Sequence, residues 1–87
     1  MTSMFMKHFN PVRAVKYYLL FSGMDVDEGS FESVEETIGP FDIPEGIMLT
    51  SLEGVRRICE QFGFVIEMER DIIRCMTREQ WIEYDGN

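Results

Sequence analysis

The stretch "NPVRAVKYYLLFSG", residues 10 to 23, constrains the fold more than any other part of this sequence. Asn10 is a good N-cap, Pro11 suits the first helical position, and Gly23 supplies a left-handed stop. The spacing therefore predicts a helix over 11–22. Within it Val12, Val15, Leu19 and Ser22 fall on one stripe, Ala14, Tyr18 and Phe21 on the next, and Tyr17 and Leu20 widen the apolar surface. Only Arg13 and Lys16 mark a wet side. A helix this apolar must be wrapped by the rest of the chain, or must offer its C-terminal half as an interface. The first alternative is the expectation.

With 87 residues the chain can form one small domain, since a chain of this length buries only about 60 to 65% of its unfolded surface. A content of 45% hydrophobic and 13% aromatic residues is that of a globular protein, not of a disordered segment. No repeat, low-complexity tract or linker divides residues 1–87, and residues 1–9 are expected as a mobile N-terminus.

The remaining punctuation gives the element order. Ser30 is expected to cap a helix over 31–38, with Phe31, Val34 and Ile38 on one face and Glu32, Glu35 and Glu36 on another, ended by Gly39 and Pro40. "FDIPEGIML" reads as an extended connection punctuated by Pro44 and Gly46, with a short strand near 47–49. "TSLE" is a capping box of Thr50 and Glu53. It opens a helix over 51–62 that places Leu52, Val55, Cys59 and Phe62 on one face and closes at Gly63. A β-hairpin follows, 64–68 and 72–76, turning at Glu69, Arg70 and Asp71. "TREQ" is a second capping box, Thr77 with Gln80, opening a helix over 78–84 that carries Trp81, Ile82 and Tyr84. The fold class is α+β: about four helices, a short antiparallel hairpin and a third short strand.

The formal net charge is -8, and its distribution narrows the function. Residues 1–16 carry three bases and no acid, residues 17–55 carry nine acids and no base, and the rest carries five Arg against seven acids. Such a field repels DNA, RNA and anionic lipid, so the expected partner is a basic protein or protein complex, with no direct nucleic acid and no membrane. No run approaches the roughly 18 apolar residues of a membrane span. Lys7, His8, Arg13 and Lys16 ahead of Tyr17 to Phe21 imitate a signal peptide, but that run is shorter than the roughly 7 to 15 residues of an h-region and no small-x-small site follows.

Cys59 and Cys75 form no C-x-x-C pair, and His8 is the single histidine, so a zinc site lacks ligands. A reduced, cytoplasmic protein is expected. Trp81 and Tyr84, with Met1, Met4, Phe5 and Met6 at the other end, suit either the core or a dimer contact. Core is the expectation, leaving the chain a monomer or a homodimer.

The candidate site is "GMDVDEGSFESVEETIG", residues 23–39, which holds Asp25, Asp27, Glu28, Glu32, Glu35 and Glu36 without a single Lys or Arg. Asp42 and Glu45 extend the acidic run. One reading is a calcium loop over 25–36, because Asp25, Asp27 and Glu36 fall at its first, third and twelfth places. The match fails where that loop is strict: Gly29 is one place early, and Glu32 takes a normally apolar place. A second reading is a carboxylate surface for a basic groove. Glu32, Glu35 and Glu36 at i, i+3 and i+4 sit about 5 to 6 Å apart on a helix, a dense row of negative charge that can compete for a nucleic-acid site. The plainest reading is a solvated face that keeps a small protein soluble.

Enzymatic readings find no support. No phosphate-cradling glycine loop, nucleophile elbow or zinc helix motif occurs, and both cysteines fall on apolar faces where thiols are inert packing. No catalytic residue, metal ligand or cofactor is therefore assigned. Three helices and a hairpin loosely resemble a winged helix, with Arg56, Arg57, Arg70 and Arg74 as its basic residues. The connection from Ile38 to Thr50 is much longer than the turn of that motif, however, so a winged-helix-like regulatory or adaptor domain stands as the alternative. The favoured expectation is a non-enzymatic acidic inhibitor that binds protein and occludes a nucleic-acid-binding surface. By analogy of class, phage-encoded inhibitors of host defence complexes work this way.

Overall fold

The structure, a computed structural model, describes residues 4–85. The order is β1 (Met4–Phe9), α1 (Pro11–Phe21), β2 (Asp25–Val26), α2 (Glu28–Ile38), β3 (Phe41–Leu49), α3 (Leu52–Phe62), β4 (Phe64–Glu69), β5 (Ile72–Thr77) and α4 (Arg78–Asp85). β1 and β3 form a two-stranded antiparallel sheet, and a mixed sheet has the order β2-β5-β4. The α+β class stands.

Helix α1 is the hub. It packs against α2, α3 and β1, and Val12, Val15 and Leu19 are wholly buried at 0% exposure. Asn10 caps it by accepting from the Val12 and Arg13 backbone N–H groups. At the other end Gly23 takes φ +86°, and the bonds Gly23 N to Leu20 O and Met24 N to Leu19 O, both 3.0 Å, close a Schellman motif. Of the two residues expected to mark the wet side, Arg13 is exposed and Lys16 is not. Lys16 is only 7% exposed, with its ammonium 5.1 Å from the Tyr17 ring centroid, a placement open to long cationic side chains at a core margin. Tyr17, Leu20 and Phe21 face out beside Arg13.

Helix α2 begins at Glu28, ahead of the expected 31, and its cap is Asp27, whose side chain accepts from Ser30 N. A carboxylate cap followed by Glu28 in the first turn suits the positive helix end better than Ser30 would. Phe31 and Val34 bury as expected and Ile38 packs beside them. Gly39 ends the helix at φ 76°, ψ 175°, a conformation essentially confined to glycine.

Within the N-terminal segment, residues 4–9 form strand β1, paired from Met4 with Leu49 to Phe9 with Phe41. β3 likewise spans Phe41–Leu49 instead of 47–49. The ladder jumps from Met6 with Ile47 to His8 with Asp42, so residues 43–46 bulge opposite Lys7. Pro44 and Gly46, which argued against a strand, sit in that bulge where no ladder bond is required.

Helix α3 is capped by Ser51, not Thr50, its hydroxyl accepting from Gly54 N at 3.2 Å. Val55 and Cys59 bury as expected, together with Ile58, while Leu52 in the first turn is 54% exposed. The hairpin turns on Arg70 and Asp71 alone, with Glu69 opposite Ile72 inside the ladder. The Thr77 and Gln80 box is reciprocal as expected: Gln80 N donates to Thr77 Oγ1 at 3.1 Å and Thr77 N donates to Gln80 Oε1 at 3.0 Å. On α4 Trp81 is half-buried and Ile82 is 55% exposed. The Tyr84, Met4, Phe5 and Met6 side chains, and Met1, lie outside the described residues.

Candidate acidic face on helix α2

The fold divides the acidic stretch into two sets. Asp27 is spent as the α2 cap, and its carboxylate lies 3.7 Å from Arg74 Nε. Arg74 reaches from β5 and also donates to Glu69 at 2.8 Å. Glu35 leans toward α1, where Arg13 Nε donates to its Oε1 at 2.6 Å and Arg13 Nη2 contacts the same oxygen. Two of the six carboxylates thus hold the fold together.

The other four face solvent. Asp25 lies on β2, and Glu28, Glu32 and Glu36 are exposed on α2. Starting α2 at Glu28 aligns those three glutamates at i, i+4 and i+8, a single row of carboxylates about 6 Å apart along the axis. The expected trio of Glu32, Glu35 and Glu36 is accordingly replaced by Glu28, Glu32 and Glu36. None of the four has an ion-pair partner among the described residues. Asp42 is exposed on β3, opposite His8 in the ladder. Glu45 falls in the β3 bulge, and its side chain lies outside the described residues.

The same helix bears on the calcium reading over 25–36. Residues 28–36 are helical, which strings their carboxylates along a line, whereas calcium needs oxygens converging on one point. Among the described residues no group of three His, Cys, Asp or Glu side chains is placed to hold a metal ion.

Cys59 on α3 and Cys75 on β5 belong to one buried cluster, 5% and 2% exposed. Burial pushes the Cys59 thiol up to about 12, and burial together with neighbouring Cys59 pushes Cys75 further still. Both are protonated packing groups at neutral pH, with no thiolate available for attack.

Two of the basic residues of the winged-helix alternative, Arg56 and Arg57, are interspersed with acids. Glu53, Arg56, Arg57 and Glu60 alternate along the outer side of α3, with Arg57 paired to Glu53 at 3.3 Å. α1 packs on both α2 and α3, and those two helices are not a packed pair of the helix-turn-helix kind.

Arg13 and Arg74 are the residues whose role the sequence hid. Each neutralises an acid 22 or 47 positions away, as the numbers of the pairs Arg13 with Glu35 and Asp27 with Arg74 show. No local pattern signals such pairs. No protein-family model, curated protein or solved structure matches the chain. No helix among the described residues is long and apolar enough to cross a membrane.

Proposed function

We propose that this chain is a small acidic protein-binding module that inhibits a partner by covering its basic, nucleic-acid-binding surface. One observation carries the reading: the row Glu28, Glu32 and Glu36, with Asp25 beside it, is exposed and without an ion-pair partner among the described residues, while the other acids of that stretch are neutralised from within. A face kept only for solubility gains nothing from excluding bases, since mixed signs solubilise equally well. A row of one sign steers a basic groove onto the protein and competes with the phosphates that groove would otherwise bind.

The partner class is a nucleic-acid-processing complex, host defence complexes among them, and the role needs no catalytic group or cofactor. The test is capture of partners from the native host by the tagged chain and by the E28Q/E32Q/E36Q variant, at low and high salt. Loss of a specific partner in the variant supports the reading, and equal capture overturns it.

A further inference from the structure

A second surface is built differently from the acidic row. Between α3 and β4 runs an open groove of about 450 Å³, lined by Leu19, Met24, Val55, Cys59, Phe64 and Ile73 among others. Its two rims are Leu52, 54% exposed, and Met68, 63% exposed. β4 is the edge of its sheet, with β5 as its single strand neighbour among the described residues.

The two-residue turn at Arg70 and Asp71 makes Glu69 and Ile72 a hydrogen-bonded pair, and alternation then assigns the ladder bonds of β4 to Val65, Glu67 and Glu69. The backbone groups of Phe64, Ile66 and Met68 therefore point away from β5. Among the described residues no loop or helix backbone hydrogen-bonds to them. The side chains of the same three residues lie on one face of the strand, the face that carries buried Phe64 and half-buried Ile66 toward the groove. Open backbone groups and an apolar trough thus run side by side.

We propose that the β4 edge and this groove take an extended segment of a partner protein, one whose alternate residues are apolar and whose intervening residues are Lys or Arg. The added strand would bond to Phe64, Ile66 and Met68 and lay its apolar side chains against Leu52, Ile66 and Met68. Charge selects the occupant. The groove is rimmed by Glu60 and Glu67, with Arg56 offset by Glu60 four residues on, in a chain of net charge -8. A second copy brings the same charge and sets its own Glu67 against this edge, which is how edge strands resist self-pairing. A basic strand turns that repulsion into attraction. The inference does not depend on the α2 row, which lies on other elements.

The probe is the synthetic peptide Lys-Val-Lys-Ile-Lys-Val-Lys, blocked at both ends, added to the full chain while backbone amide exchange is followed residue by residue. The expected result is that the Ile66 and Met68 amides slow at least tenfold, while a peptide of the same composition with its four lysines in one block leaves them unchanged. The M68R variant keeps the fold, since Met68 is exposed, and weakens binding at least tenfold; I66P removes an outward N–H and abolishes the protection. No binding, or slowing confined to α2, or equal effects from both peptides, overturns the proposal.

Discussion

The Ser30 hydroxyl accepts the Cys75 backbone N–H at 3.0 Å while donating to Asp27 O at 2.7 Å. This one side chain continues the β2 to β5 ladder past the point where β2 ends, because Asp27 N has already donated to Ile73 O at 2.8 Å. It fastens the start of the acidic helix to the sheet.

Replacing Ser30 by Ala leaves the Cys75 N–H without its partner. A lost bond of this kind, with a part-buried donor left unsatisfied, costs about 1 to 2 kcal/mol. Urea denaturation of S30A should show that loss with an unchanged slope, and faster amide exchange at Cys75 should accompany it.

Glu35 and Glu36 are neighbours in sequence with opposite duties. Glu35 is held by Arg13 and Glu36 is exposed. E35Q should destabilise by about 0.5 to 1 kcal/mol, and E36Q should be neutral or slightly stabilising through relief of like-charge repulsion. Thermal melts of the two variants at the same salt concentration separate these effects.

Among the described residues Arg70 is the non-glycine residue with positive φ, at 60°. That backbone region costs an L side chain about 1 to 2 kcal/mol, against about 0.5 to 1 kcal/mol for the greater unfolded freedom of glycine. R70G should therefore raise stability by about 0.5 kcal/mol, seen as a rise of about 2 to 4 °C in melting temperature.

The buried thiols make stability fall at alkaline pH. Their folded pKa values are raised, Cys59 to about 12, so the unfolded chain releases these protons first as the pH climbs past 9.0. The stabilisation is complete below the unfolded pKa and is lost as pH rises toward the folded one, at up to about 1.4 kcal/mol per pH unit for each thiol. C59V should halve the thiol part of that slope between pH 9 and 11. An identical slope in the variant would show that the Cys59 thiol does not carry it.

The helices were legible because their signals are local. Asn10 with Pro11 marks one start and Thr77 with Gln80 another, and each signal lies within four residues of its partner. The strands were legible only where a tight turn joined them, as at Arg70 and Asp71. β1 finds β3 across the whole of α1 and α2, and Pro44 disguised the latter strand until the bulge gave it a place outside the ladder. The same distance effect governs the site. The count of acids was plain, but which of them are spent on Arg13 and Arg74 depends on tertiary neighbours. The row that remains, Glu28, Glu32 and Glu36, depends on a helix start that a competing cap at Ser30 obscured.

The central claim is that this row meets a basic partner. The most direct measurement is the salt dependence of partner affinity for the native chain and for E28Q/E32Q/E36Q, with E53Q/E79Q as a control that removes charge elsewhere. The account predicts that the triple variant binds about tenfold more weakly at low salt and shows a flatter dependence on salt, while the control stays near the native chain. Equal affinity and equal salt slope for all three proteins would contradict it.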